Sequence, residues 1–89
     1  MIIDATLDFH TLGKLTGEQI SFYLNKFLQE SFQQGYQKLL VITGKGVDSS
    51  GLVRKIVLRD LLQHKLVQKS QIASAEAGGD GAFEVWLVC

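Results

Sequence analysis

Leu39-Leu40-Val41-Ile42, running directly into Thr43-Gly44-Lys45-Gly46 and then the polar Val47-Asp48-Ser49-Ser50-Gly51, is the stretch on which the fold turns. The four apolar residues are strand formers without alternation, and such a run reads as a strand buried on both faces. The glycines end it. A helix then begins near Leu52, with Val53, Val57 and Leu61 stacked on one face, Ile56 and Leu58 flanking, and Lys55 and Arg59 pointing away.

Upstream, Thr16 and Gln19 have the spacing of a capping box, so a helix is expected from about Gly17 to Gln34. Ile20, Tyr23, Leu24, Phe27 and Leu28 fall on one stripe at helical period, with Phe32 at its edge and Gly35 placed to end the helix. Phe22 lies nearly opposite that stripe, among Lys26, Gln29 and Gln33; an aromatic there either marks a partner contact or is covered by the N-terminal segment. Ile3 to Phe9 reads as the first strand. Downstream, strands are expected over about Lys69 to Ala75 and Phe83 to Val88, where Phe83, Val85 and Leu87 alternate against Glu84 and Trp86. Gly78-Gly79-Asp80-Gly81 between them reads as a hairpin loop using positive φ angles. The order is therefore β-α-β-α-β-β, an α/β fold in which two helices cross over a mixed four-stranded sheet that ends in an antiparallel hairpin.

Composition sets the class. At 89 residues, 46% hydrophobic and 20% charged, the chain reads as one small globular domain over 1–89 with a modest core. It has no proline, repeat or internal linker. No apolar stretch reaches the ~20 residues of a membrane span, so no membrane partner is expected. Met1-Ile2-Ile3-Asp4 lacks the basic start of a signal peptide, which points to the cytoplasm. Cys89, the single cysteine, excludes an internal disulfide and reads as an idle thiol. Net charge is 0, which argues against a strong sequence-independent grip on nucleic acid. Yet Arg54, Lys55, Arg59, Lys65 and Lys69 cluster with only Asp60 opposing them, so one face is either a basic surface for a partner or a solvated helix flank.

The residues able to do chemistry are few. Asp8 and His10 stand two apart on the expected first strand, where i and i+2 share a face ~6.5–7 Å apart. That suits a carboxylate orienting an imidazole, which exchanges a proton near neutral pH; a structural pair is the alternative. Thr43-Gly44-Lys45-Gly46 lets backbone amides and a lysine face an anion near a helix start, or is a plain glycine turn. It is not a nucleotide-hydrolysing P-loop, since Gly46 stands where that motif has Ser or Thr. The loop of Gly79 and Gly81 either makes a simple hairpin or packs beside the Thr43 loop so that a polynucleotide backbone passes closely. His64, near the end of the second helix, where a cation is favoured by the helix dipole, reads as a capping or surface residue.

Taken together, Leu7-Asp8-Phe9-His10, Thr43-Gly44-Lys45-Gly46, and Gly78-Gly79-Asp80-Gly81-Ala82 with Val85 and Leu87 resemble the marks of the Smr (small MutS-related) domain family. Those marks are an L-D-x-H segment, an H-or-T-G-x-G loop and a late G-G-x-G-A-x-x-V-x-L segment. Gly51, Arg54, Val57 and Leu61 match the family's stretch after the loop, and order and spacing agree over about residues 7 to 88. The resemblance implies a two-layer α/β sandwich like the C-terminal domain of a translation initiation factor. It implies endonuclease activity, nicking DNA or cleaving RNA, in some members on messenger RNA at stalled ribosomes. Asp8 and His10 match the catalytic pair; Thr43, Gly44, Lys45 and Gly46 match the substrate-binding loop, with Arg54, Gly79 and Gly81 beside it.

Two departures stand out: Thr11-Leu12-Gly13-Lys14-Leu15 intervenes where the family has glycine directly after the His, and Thr43 replaces the more frequent His. On RNA, His10 would take the proton of a 2′-hydroxyl, Asp8 would hold the ring, and Lys45, loop amides and Arg54 would neutralise the phosphoryl oxygens. No cofactor is required by this scheme; Asp8 could hold Mg²⁺, although one carboxylate and one His make a thin site. The competing classes are a module that binds nucleic acid without cutting it and a protein-interaction domain.

Overall fold

The computed structural model describes residues 2–44, 50–77 and 79–88. Lys45, Gly46, Gly78 and Cys89, on which expectations rest above, lie outside the described residues.

The chain runs β1 (Ala5–Asp8), a 3₁₀ turn (Phe9–Thr11), α1 (Gly17–Gln33), β2 (Lys38–Ile42), α2 (Ser50–Gln63), β3 (Val67–Ile72), two further 3₁₀ turns (Ala75–Ala77 and Gly79–Gly81) and β4 (Ala82–Leu87). The sheet order is β1-β2-β4-β3, with β1 parallel to β2 and β4 antiparallel to both of its neighbours. This is the expected mixed sheet, with β4 inserted between β2 and β3.

Local chemistry explains the helix ends. Thr16 Oγ1 accepts the Gln19 N–H at 3.2 Å while the Thr16 N–H donates to Gln19 Oε1 at 2.9 Å, a complete capping box. At the other end Gly35 takes φ +79°, a conformation glycine reaches without steric cost, and the Tyr36 N–H donates to the Ser31 carbonyl at 3.0 Å. The helix therefore stops at Gln33, one residue short of the expected end.

Ile20, Leu24 and Leu28 of α1 and Val53, Ile56, Val57 and Leu61 of α2 bury against Leu39, Val41, Phe83, Val85 and Leu87 of the inner strands. Each fully buried side chain of this kind contributes roughly 1.5–3 kcal/mol. Tyr23 and Phe32 sit at the margins of the stripe and stay exposed. Phe22 is 62% exposed and is not covered by the described N-terminal residues; its ring meets Tyr23 edge-on at 5.7 Å. No helix among the described residues is long and apolar enough to cross a membrane.

Several expectations change. The run in β2 is buried on one face only: Leu39 and Val41 are fully covered, whereas Leu40 and Ile42 are partly open. The third strand occupies Val67–Ile72, not Lys69 to Ala75. A register shift lies between Val67 and Lys69, and the chain leaves the ladder once the Ala73 N–H has bonded the Ala82 carbonyl at 3.0 Å. The tight hairpin is replaced by a longer connection containing two 3₁₀ turns, with a positive φ of +57° at Gly79. The first strand ends at Asp8, and Phe9 turns inward to join the core.

Candidate active site at the end of the parallel strands

Because β1 and β2 are parallel, they finish at the same end of the sheet, where Asp8 is in register with Ile42. Ile42 in turn faces Ala82, the first residue of β4, so the residues just beyond β2 and just before β4 are neighbours. Hydrogen bonds close that junction. The Gly81 carbonyl accepts the Thr43 N–H at 2.8 Å, the Gly44 N–H at 3.0 Å and the Thr43 hydroxyl at 3.3 Å. Gly44 holds φ +92°, a conformation a Cβ would oppose. The loops after β2 and before β4 are thus latched together beside the end of β1.

Residues 7–88 match the Smr domain family. The chain belongs to this family. The protein called Endonuclease MutS2 from Carboxydothermus hydrogenoformans is 32% identical over 81 residues, which cover 91% of this chain and 10% of that protein. The chain therefore spans about a tenth of the length of this curated relative. Among solved structures, the Smr domain of Thermus thermophilus MutS2 superposes with a TM-score of 0.78 at 24% identity, covering 99% of this chain and 100% of that one. YdaL, a stand-alone small MutS-related protein from Escherichia coli, gives a TM-score of 0.79 at 30% identity over 92% of this chain and 63% of its own. The mixed four-stranded sheet with two helices is the Smr fold.

Within this Smr domain the Asp8–His10 relation differs from the strand-face reading. His10 lies in the 3₁₀ turn, and Asp8 is that turn's N-cap: its Oδ1 accepts the His10 N–H at 2.9 Å. The cause is local, since a carboxylate at an N-cap satisfies an amide that the strand has stopped pairing. The carboxylate thus fixes the main chain of His10, and the imidazole is exposed. The Thr11 hydroxyl donates to the Asp8 carbonyl at 3.0 Å, tightening the same turn.

The other expected site residues divide. Thr43 is buried, and the amides of Thr43 and Gly44 are engaged by Gly81, so these two groups build the loop and do not point to an anion. Gly79 and Gly81 sit in the 3₁₀ turn that carries the latch. Arg54, in the second turn of α2, places its guanidinium 5.6 Å from the centre of the Phe83 ring, next to the strand that the latch precedes. Lys45 and Gly46 lie outside the described residues. Among the described residues no three His, Cys, Asp or Glu side chains gather as a metal-binding group.

Two arrangements were not legible beforehand. His64 is a neutral bridge and not a cation at the helix end. Its Nδ1 accepts the Leu66 N–H at 3.1 Å, so Nε2 carries the proton and donates to Asn25 Oδ1 at 2.8 Å. Burial, and next the charge of Lys65, lower its pKa against the pull of Asp60. Glu84, expected on the polar side of an alternating strand, is buried and paired with Lys38 at 2.9 Å. Its pKa is lowered first by the Ser74 amide and then by Lys38, against the opposing effect of desolvation. A lone Glu in an alternating run carries no local signal for such a partner.

Proposed function

We propose that this Smr domain is a nucleic-acid endonuclease that cleaves RNA or nicks DNA at the end of the sheet where Asp8, His10 and the latched glycine loops meet. The observation that carries the reading is the latch: Thr43 and Gly44 bonded to Gly81 join two of the family segments, and the pairing of Asp8 with Ile42 sets the third at the same end of the sheet. The name of the MutS2 relative, an endonuclease, supports it.

In this scheme the exposed imidazole of His10 acts as general base, on a 2′-hydroxyl if the substrate is RNA. Asp8 acts through the turn, holding His10 in place by its amide. Lys45, Gly46 and Arg54 supply positive charge and amides to the phosphoryl oxygens. Mg²⁺ at Asp8 would need further oxygen ligands from substrate and water. RNA at a ribosome is one partner to which the reading extends.

Labelled single- and double-stranded RNA and DNA, incubated with wild type and His10→Ala with and without EDTA, test it. Cleavage should fall ~100- to 10,000-fold in His10→Ala, the usual cost of losing a general base. Because His10 is exposed, its melting temperature should match wild type.

A non-catalytic binding module is favoured by one observation, that Asp8 is engaged by the His10 main chain. It predicts salt-sensitive binding and no fragments from any substrate.

A further inference from the structure

Glu84 lies on an inner strand of the sheet and is only 4% exposed, a position that a carboxylate tolerates only with partners. Its two oxygens are engaged separately. Oε1 takes the Lys38 ammonium at 2.9 Å, and Oε2 accepts the Ser74 N–H at 2.9 Å. Lys38 is itself 7% exposed, with its ammonium 4.7 Å from the centre of the Trp86 ring and its own amide donating to Asp4 Oδ2 at 3.1 Å.

Ser74 is where the chain leaves β3 for the glycine loop. Its carbonyl accepts the Gly79 N–H at 2.8 Å, and the loop then ends in the Gly81 carbonyl that receives Thr43 and Gly44. A continuous series of contacts therefore runs from Lys38 through Glu84 and Ser74 to Gly79, at the start of the turn that forms the latch. If the ion pair served stability alone, an apolar pair of similar volume would serve as well, because removing two charges from water offsets most of their attraction. An apolar pair, however, offers no acceptor to the Ser74 amide.

We propose that Glu84, held by Lys38, is a positioning residue. It fixes Ser74 and, through the Ser74 carbonyl, Gly79, so that the loop stays seated against Thr43 and Gly44. Its consequence for catalysis rests on the endonuclease reading; its consequence for the loop does not.

The test uses the double variant Lys38→Met/Glu84→Leu, which removes the acceptor without stranding a buried ammonium, and its counterpart Lys38→Met/Glu84→Gln, which keeps one acceptor oxygen for the Ser74 N–H. Amide hydrogen exchange is read by NMR beside cleavage kinetics on whichever substrate the wild type cuts. In Lys38→Met/Glu84→Leu the Ser74 and Gly79 amides should exchange about tenfold faster, the cost of losing a hydrogen bond to a charged group. Amides of Leu24 and Leu28 should keep their protection. KM should rise several-fold with little change in kcat. Lys38→Met/Glu84→Gln, whose one amide oxygen serves the Ser74 N–H with no ammonium facing its NH₂, should show little of either loss.

Unchanged exchange at Ser74 and Gly79, or faster exchange in step with Leu24 and Leu28, overturns the proposal. So does faster loop exchange in an active enzyme whose KM does not move. If no variant, wild type included, cuts any nucleic acid, the endonuclease reading alone falls, and the exchange data still decide whether Glu84 holds the loop.

Discussion

At the scale of single residues, Asp8 shows how a local bond can redirect a catalytic argument. Its carboxylate caps the amide of His10, so its contribution divides into geometry and charge, and two substitutions separate them. Asp8→Asn retains an oxygen for the cap, and Asn and Asp are nearly equivalent N-caps, so its stability should stay within about 0.5 kcal/mol of wild type. Asp8→Ala should lose about 1 kcal/mol in denaturant unfolding, because the amide loses its acceptor. If geometry is the contribution, cleavage by Asp8→Asn stays within a few-fold of wild type while Asp8→Ala falls much further. An Asn variant as inactive as the Ala variant, yet as stable as wild type, would show that the negative charge itself is required.

Between elements, His64 joins three of them: it ends α2, takes the amide of Leu66 before β3, and reaches Asn25 on α1. Burial, and next the charge of Lys65, disfavour the protonated ring, so its pKa lies below the ordinary 6.5; a protonated ring would also lose the Leu66 N–H bond. The unfolded chain then binds more protons than the native one, and stability rises with pH across this window. The contribution is present above the unfolded value and is lost as pH falls from there through the lower folded value. Melting temperature should drop between pH 7.5 and 5.5, and the drop should be smaller in His64→Asn; an equal drop in both would clear His64 of the effect. Such contacts also mark the limit of what the chain's pattern reveals. The capping box of Thr16 and Gln19 and the burial of Ile20, Leu24 and Leu28 on the α1 stripe are written in neighbouring residues and formed as read. Tyr23 of that stripe, by contrast, is exposed, and Glu84, between Phe83 and Val85, is buried. The link of His64 to Asn25 on α1, 39 residues away in sequence, has no local signal. The pairing of Lys38 with Glu84 was invisible for the same reason, since Leu40, not Lys38, is the register partner of Glu84. His10 was placed on the strand because period-2 reasoning has no means of seeing that Asp8 would cap a turn.

For the whole molecule, the distribution of charge decides how a polynucleotide would be held. The net charge is 0, and two cations are already paired: Lys38 is buried against Glu84, and the Arg59 guanidinium lies 3.1 Å from Asp60. A grip confined to the latched end would use few cations, with Lys45, Arg54 and Lys55 the nearest in sequence to the loop and the start of α2. Three neutralised phosphates give a slope of about −2 to −3 in log K against log salt, from the release of counterions on duplex or single strands. Fluorescence anisotropy with the His10→Ala variant, which leaves the substrate intact, measures that slope directly. Lys55→Ala should weaken binding modestly and make the slope shallower by about one phosphate's share. A much steeper slope, unaffected by Lys55→Ala, would mean that the strand is held along a broad basic face and not at the end of the parallel strands. The end-of-sheet site would then be wrong even if cleavage were observed, because the phosphodiester would be gripped elsewhere.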